Sequence, residues 1–134
     1  ISQFKSRRRF RIQRDRGTQD SVFAWHLALV KPGPGDSNSV VICGHLDIWV
    51  TDLTARTLRI GYALFPEFRK CGLMAEALSQ FLHVEVQTWK IHRVEADCRA
   101  QNTRSRDLLV GLGFCRMNES AADVLHLLFE NTAS

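Results

Sequence analysis

A polar turn between a predicted strand and a predicted helix carries the residues best suited to bind an anion. The segment spans residues 61–78 and reads GYALFPEFRKCGLMAEAL. Such a turn gathers backbone N–H groups at the helix N-terminus, where they bind phosphate, and Gly72 has no Cβ to hold the ligand away. Arg69 and Lys70 add positive charge at the same place. The segment fits either a pyrophosphate cradle or a plain strand-to-helix connection with solvated basic side chains.

A second polar pair, Asn102 and Ser105, opens the next predicted helix with the spacing N-x-x-S. Asparagine is among the best N-cap residues, so capping alone accounts for Asn102. Capping is compatible with a ligand contact, and the serine adds a hydroxyl that donates and accepts hydrogen bonds. Both interpretations stay open at this point.

Metal and thiol chemistry are not indicated. The four cysteines, Cys43, Cys71, Cys98 and Cys115, form no C-x-x-C pair, and the five histidines form no H-x-x-x-H pair. These spacings predict neither a metal site nor a disulfide framework. Cys71 would lie at a helix N-terminus, which stabilises a thiolate, but no neighbouring base indicates a nucleophile.

A mixed α/β sheet is predicted to position these residues. Apolar periodicity predicts a long helix over residues 73–89 and a short one over residues 103–112, stopped by Gly113. The predicted strands lie at residues 22–30, 40–50, 57–64, 92–99, 114–117 and 124–129. The first three strands form an antiparallel meander, and the long helix joins the third strand to the fourth by a crossover.

The composition is that of a single soluble domain covering residues 1–134. Apolar residues make up 45% and charged residues 24%, which is ordinary for a globular protein. No apolar run approaches the roughly 20 residues of a membrane span, and no signal peptide is evident. The expected location is the cytoplasm, with no membrane partner.

The N-terminal stretch is basic within a chain of net charge +4. Its cations suit either contact with RNA or a ribosomal surface, or a solvated helix face. The stretch begins at Ile1 in a polar pattern that reads as helical, so the chain is expected to be a piece of a longer protein. The cations are Lys5, Arg7, Arg8, Arg9, Arg11, Arg14 and Arg16.

The run R-K-C-G-L-M at residues 69–74 resembles the R/Q-x-x-G-x-G/A coenzyme A loop of the GNAT superfamily of N-acetyltransferases. Three further pieces, I-G-Y-A-L-F-P-E-F, I-H-R-V-E-A and N-T-R-S-R-D-L-L-V-G-L-G-F, are similar to the ribosomal-protein-alanine branch, which acetylates N-terminal alanine or serine. Residues 60–114 carry the match. The resemblance implies a mostly antiparallel central sheet with a splayed parallel strand pair and helices on both faces, here without the first strand and helix of that fold.

The resemblance also implies the site residues. Ser105 protonates the thiolate that leaves, and Asn102 contacts the pantetheine arm, so these two are the expected catalytic residues. Many members use a tyrosine four residues after the serine, where this chain has Leu109. The expected acetyl-CoA contacts are Leu64, Phe65, Arg69, Lys70, Cys71, Gly72, Leu73, Met74, Asn102 and Ser105.

Two departures concern the acceptor side. Arg59 stands where the family often has a glutamate that serves as general base, and the link between the last two strands shortens to residues 118–122. Asp47, Glu95 and Asp97 are alternative bases, and strand parity leaves the choice between them open.

The expected function is direct transfer of acetyl from acetyl-CoA to an amine, with a protein N-terminal α-amine, such as that of a ribosomal protein, as acceptor. The alternatives are acetylation of a small-molecule amine such as a polyamine, a non-catalytic module that binds acetyl-CoA, and an RNA- or ribosome-docking domain. DNA is not an expected partner.

Overall fold

A seven-stranded sheet in the order β1-β2-β3-β4-β5-β7-β6 organises the part of the chain that the structure describes. The structure is a computed structural model that describes residues 10–14, 24–33, 35, 39–69, 72–117 and 123–132. The strands are β1 (Phe10–Arg14), β2 (Ala24–Pro32), β3 (Val40–Asp52), β4 (Thr57–Leu64), β5 (Arg93–Arg99), β6 (Cys115–Arg116) and β7 (Val124–Glu130).

Strand β1 corrects the helical interpretation of the N-terminal stretch. Residues 10–14 pair antiparallel with β2, with Phe10 opposite Leu29 and Arg14 opposite Trp25. The pentapeptide FRIQR alternates apolar and polar residues, which is the period of a strand, and the edge of β2 supplies the hydrogen-bond partners. The remaining cations of that stretch lie outside the described residues.

The described residues form the helices α1, over residues 73–88, and α2 (Thr103–Gly111), and a short 3-10 helix at Pro66–Phe68 follows β4. Helix α1 begins as Leu73–Gln80, passes through a π turn at Phe81–Glu85 and ends with Val86–Thr88. It joins β4 to β5 as the predicted crossover. Gly113, with φ of 104°, lies just beyond α2 as the predicted stop.

One face of the sheet is packed against both helices. The alternate residues of β3, β4, β5 and β7 that face α1 and α2 form a single apolar cluster with them. Leu46, Ile48, Leu58, Val94 and Leu127 are among its fully buried members. The other face of the sheet carries Arg59, Asp97 and His126, and the expected helical cover of that face is not seen among the described residues.

Candidate acetyl-CoA site

The two central parallel strands part in the middle of the sheet. Strands β4 and β5 are paired from Thr57 opposite Arg93 to Ile60 opposite Ala96. Beyond this point β4 continues its pairing with β3 alone, and β5 continues with β7 alone. The backbone groups of the two strands that face the gap are no longer paired with each other, and the expected splayed pair is confirmed.

A cavity of about 730 Å³ lies at this gap, between the N-termini of α1 and α2. Its volume is within the range of small-molecule sites in proteins. The cavity is lined by Tyr62, Ala63, Leu64, Arg69, Gly72, Leu73, Met74, Ala75, Gln101, Asn102, Thr103, Arg104, Ser105 and Leu108. Residues from two segments of the chain therefore meet in one place.

The N-terminus of α1 has the local geometry of an anion site. Gly72 precedes the helix in the left-handed region, with φ of 73°, and no heavy atom of the described residues, its chain neighbours apart, lies within 4 Å of the position that a Cβ would take. A residue with a side chain would be strained in that conformation, which explains the glycine. The Arg69 Nε donates a hydrogen bond to the Leu64 carbonyl at 3.2 Å, which ties the turn to the end of β4. The helix dipole and the open space at Gly72 fit a pyrophosphate group.

The N-terminus of α2 supplies the second polar wall. The Asn102 Oδ1 accepts a hydrogen bond from the Ser105 backbone N–H at 3.2 Å, so Asn102 is the helix cap. The Ser105 hydroxyl lies 2.8 Å from the hydroxyl of Tyr62, across the cavity on β4. Leu109, one helical turn after Ser105, is fully buried in the core and does not line the cavity.

Seven lining residues were not among the predicted contacts, and Tyr62 is the one of them that contacts Ser105. Its side chain lies on the packed face of β4, and burial raises the pKa of its phenol, while the Ser105 hydrogen bond lowers it and nearby Cys98 raises it. The signal was present in the I-G-Y run, because a tyrosine two residues before the end of β4 lies next to the parting strands.

Seven of the ten predicted acetyl-CoA contacts line the cavity: Leu64, Arg69, Gly72, Leu73, Met74, Asn102 and Ser105. Phe65 is not in the lining, and its backbone N–H donates to the Cys43 carbonyl at 2.8 Å. The predictions for Lys70 and Cys71 lie outside the described residues.

The three candidate bases share the face of the sheet opposite the helices. Asp97 accepts hydrogen bonds from Arg59 Nη1 and from His126 Nδ1, each at 2.5 Å. Asp47 lies 2.9 Å from the Nδ1 of His45. Asp97 is the first residue of β5 beyond its pairing with β4, so this charged cluster lies at the opening of the gap on the sheet's other face.

No cluster that suits a metal ion occurs among the described residues, and no helix in the same part of the chain is long and apolar enough to span a membrane.

The sequence over residues 2–115 matches the family described as Acetyltransferase (GNAT) domain. The chain belongs to this family, and the splayed sheet of the structure is the fold of its members. Acetyltransferases of the GNAT family use acetyl-CoA.

This chain matches only part of the length of each relative, and each match covers only part of this chain. The [ribosomal protein uS5]-alanine N-acetyltransferase of Escherichia coli (strain K12) is 40% identical over 55 residues, which are 41% of this chain and 28% of that protein. Among solved structures, RimL, a ribosomal L7/L12 alpha-N-protein acetyltransferase in complex with coenzyme A, superimposes with a TM-score of 0.68 at 19% identity, covering 83% of this chain and 64% of that one. Spermidine N-acetyltransferase from Vibrio cholerae superimposes with a TM-score of 0.69 at 11% identity, covering 80% and 64%.

Proposed function

We propose that this chain transfers the acetyl group of acetyl-CoA to an amine, and that the acceptor is the N-terminal α-amine of a protein such as a ribosomal protein. The observation that carries the proposal is the cavity at the parting strands. The residues around this cavity combine the N-terminus of α1, which suits an anion, with the hydroxyl groups of Tyr62 and Ser105.

The cavity divides into regions that match the parts of the co-substrate. The backbone N–H groups of residues 72–74 and the Arg69 guanidinium would hold the pyrophosphate. The N-terminal end of the α1 dipole and the guanidinium are both positive, so both attract this anion. Leu64 and Asn102 would flank the pantetheine arm, which runs into the gap between β4 and β5. Lys70 and Cys71 belong to the same predicted loop.

Acetyl transfer needs stabilisation of the sulfur that leaves. As the amine attacks the thioester carbonyl, the carbon–sulfur bond breaks and negative charge collects on sulfur. A hydroxyl donor at the Ser105 position stabilises that charge chiefly in the transition state, where it raises turnover rather than affinity. The described lining contains no cysteine, and the Ser105 hydroxyl is hydrogen-bonded to a phenol rather than to a base, so direct attack by the amine is the simpler reaction.

The acceptor preference follows from the charges on the open face. Arg59 is paired with Asp97, and the carboxylate of Asp97 accepts hydrogen bonds from Arg59 and His126. An α-amine with pKa ~7.8 is neutral about 400-fold more often at pH 7 than a lysine amine at ~10.4. An α-amine therefore reacts without a strong base, whereas a lysine side chain needs one.

A second candidate acceptor is a polyamine. The superposition on a spermidine N-acetyltransferase motivates it, although at 11% identity that likeness concerns the fold. A primary amine of a polyamine is mostly protonated at neutral pH, so it also requires a base. The uS5-alanine relative, at 40% identity, favours the N-terminal acceptor.

The test measures release of free thiol from acetyl-CoA in the presence of peptides that begin with alanine, serine or methionine, and of spermidine. We expect release with at least one of the peptides and weaker release with spermidine. Calorimetry with coenzyme A runs in parallel. Binding without thiol release for any amine would instead support a non-catalytic acetyl-CoA-binding module, and absence of binding would contradict the proposal entirely.

A further inference from the structure

The hydroxyl groups of Tyr62 and Ser105 form a hydrogen bond of 2.8 Å inside the cavity. The two residues are 43 positions apart in the sequence, one on a strand and one in the first turn of a helix. Both side chains are half-buried. Each hydroxyl carries one proton, so the direction of this hydrogen bond decides which proton remains for a third group.

Acidity favours donation from the phenol to the serine. A phenol has a pKa near ~10, whereas an aliphatic hydroxyl is a much weaker acid and a better acceptor. When Tyr62 donates to the Ser105 oxygen, the serine proton is directed away from Tyr62 and into the cavity. Burial also raises the pKa of Tyr62, so the phenol keeps its proton across the neutral range.

The backbone of Ser105 is fixed independently of its side chain. Its N–H donates to Asn102, which holds the first turn of α2 in place. That contact does not choose among the side-chain rotamers of serine, and each rotamer points the hydroxyl in a different direction. The contact with Tyr62 selects one of them.

We propose that Tyr62 is a positioning residue, which donates its hydroxyl proton to Ser105 Oγ and so holds the serine O–H toward the sulfur that leaves. This inference rests on the proposed acetyl transfer. In the step, the nitrogen–carbon bond forms and the carbon–sulfur bond breaks. The electron pair of that bond stays on sulfur, which accepts a hydrogen bond from Ser105. The amine proton goes to water, and both hydroxyl groups keep their own protons.

The positioning role of Tyr62 agrees with the presence of leucine at position 109. Leu109 is fully buried, so no hydroxyl can reach the cavity from that turn of α2. Tyr62 is the single tyrosine of the sequence and approaches Ser105 from the strand instead.

A double-mutant cycle with Tyr62→Phe, Ser105→Ala and the double variant tests the proposal. We expect Tyr62→Phe to lower kcat about tenfold, with KM for acetyl-CoA changed less than about twofold. In the Ser105→Ala background the same substitution should have no further effect, because the group that it positions is gone. Equal factors in both backgrounds, or no effect in the parent, would overturn the positioning role.

A second measurement does not depend on turnover. Because the chain has one tyrosine, the ultraviolet absorbance of phenolate reports the titration of Tyr62 alone. Once Tyr62 loses its proton, the Ser105 hydroxyl turns to donate to the phenolate, and this hydrogen bond lowers the pKa of Tyr62. Ser105→Ala should therefore move the midpoint to higher pH. Ser79→Ala, which removes a serine hydroxyl bonded to His83 on α1, should leave both the midpoint and the kinetics unchanged.

The outcomes separate the two proposals. Parent protein that releases no thiol with any amine contradicts the proposed function and, with it, the positioning role. Active parent protein with an unchanged phenolate midpoint in Ser105→Ala contradicts the positioning role alone. Unfolding curves of all variants establish that Tyr62→Phe keeps the fold.

Discussion

Gly72 combines the backbone conformation and the open space that the proposed anion site needs. Its positive φ is accessible to glycine at little strain, and no described residue other than its chain neighbours lies within 4 Å of the position that a Cβ would take. A side chain at this position would therefore point toward whatever occupies the cradle. A substitution at Gly72 therefore tests ligand binding while it changes the packing of the protein little.

Gly72→Glu should remove detectable binding of coenzyme A in calorimetry, because it adds bulk and negative charge where the pyrophosphate would lie. Gly72→Ala is the matched control. It carries the strain of a positive φ, about 1 kcal/mol in stability, without the charge. If Gly72→Glu binds coenzyme A as tightly as Gly72→Ala, the ligand does not contact this turn.

Asn102 has a structural role that can be measured apart from its proposed ligand contact. Its side chain caps α2 through the Ser105 N–H.

Asn102→Ala should lower the free energy of unfolding by about 1 kcal/mol, as measured by chemical denaturation. Asn102→Asp retains a capping acceptor and should keep stability within a few tenths of a kcal/mol. We expect the aspartate to weaken coenzyme A binding nonetheless, because it brings a negative charge to the cavity. Equal stability of the alanine and aspartate variants would argue against the cap.

At the scale of the elements, the end of β4 owes its position to close contact with β3. Gly44 is buried opposite Leu64, and a Cβ added at Gly44 would overlap the Ala63 carbonyl oxygen and lie 2.8 Å from the Leu64 Cα. Backbone atoms cannot move aside as a flexible side chain can. The approach of these strands thus places Leu64 at the cavity wall.

Gly44→Ala should lower the free energy of unfolding by about 2 to 3 kcal/mol, because the two strands must separate to admit the methyl group. Gly111→Ala offers a control in which no described residue outside the local helix lies within 4 Å of the added Cβ. That change replaces a helical glycine and should stabilise the protein by about 0.5 to 1 kcal/mol. Denaturant unfolding of both variants checks the pair. Similar stability for both variants would show that β3 and β4 are not in close contact there.

At the scale of the whole molecule, the two faces of the sheet carry different parts of the proposed site. The packed face holds the cavity with Tyr62 and Ser105, whereas the open face holds Arg59, Asp97 and His126 at the other opening of the gap. An amine that attacks the thioester from the open face meets a cation and an already paired carboxylate. The proposed preference for an α-amine over a lysine side chain therefore depends on the larger neutral fraction of the α-amine at pH 7.

A peptide with a free N-terminus and an internal lysine should be acetylated mainly at the α-amine, and the rate should rise with pH toward the pKa of that amine. Mass spectrometry of the product locates the acetyl group. The same peptide with a blocked N-terminus is the control and should react at least about tenfold more slowly. Acetyl found mainly on lysine would contradict the N-terminal acceptor and leave acetyl transfer itself intact.

Local sequence signals sufficed for most of the elements and for the two ends of the site. The apolar period of α1, the N-x-x-S cap of α2, Gly113 and the loop at Gly72 each depend on neighbouring residues, so the structure places them close to where the pattern predicted. The same signals failed for β1. Its strand depends on hydrogen bonds to β2, and five residues among many arginines carry a weak period.

The Tyr62–Ser105 hydrogen bond and the common face of Arg59, Asp97 and His126 required the folded chain. Each depends on strand register, and a slip of one residue moves every side chain of a strand to the other face. The pairing of β4 with β5 ends after Ile60 and Ala96, and this endpoint opens the gap beside Tyr62. No local pattern encodes the endpoint, because it results from packing both strands against α1, α2 and their own outer neighbours at once.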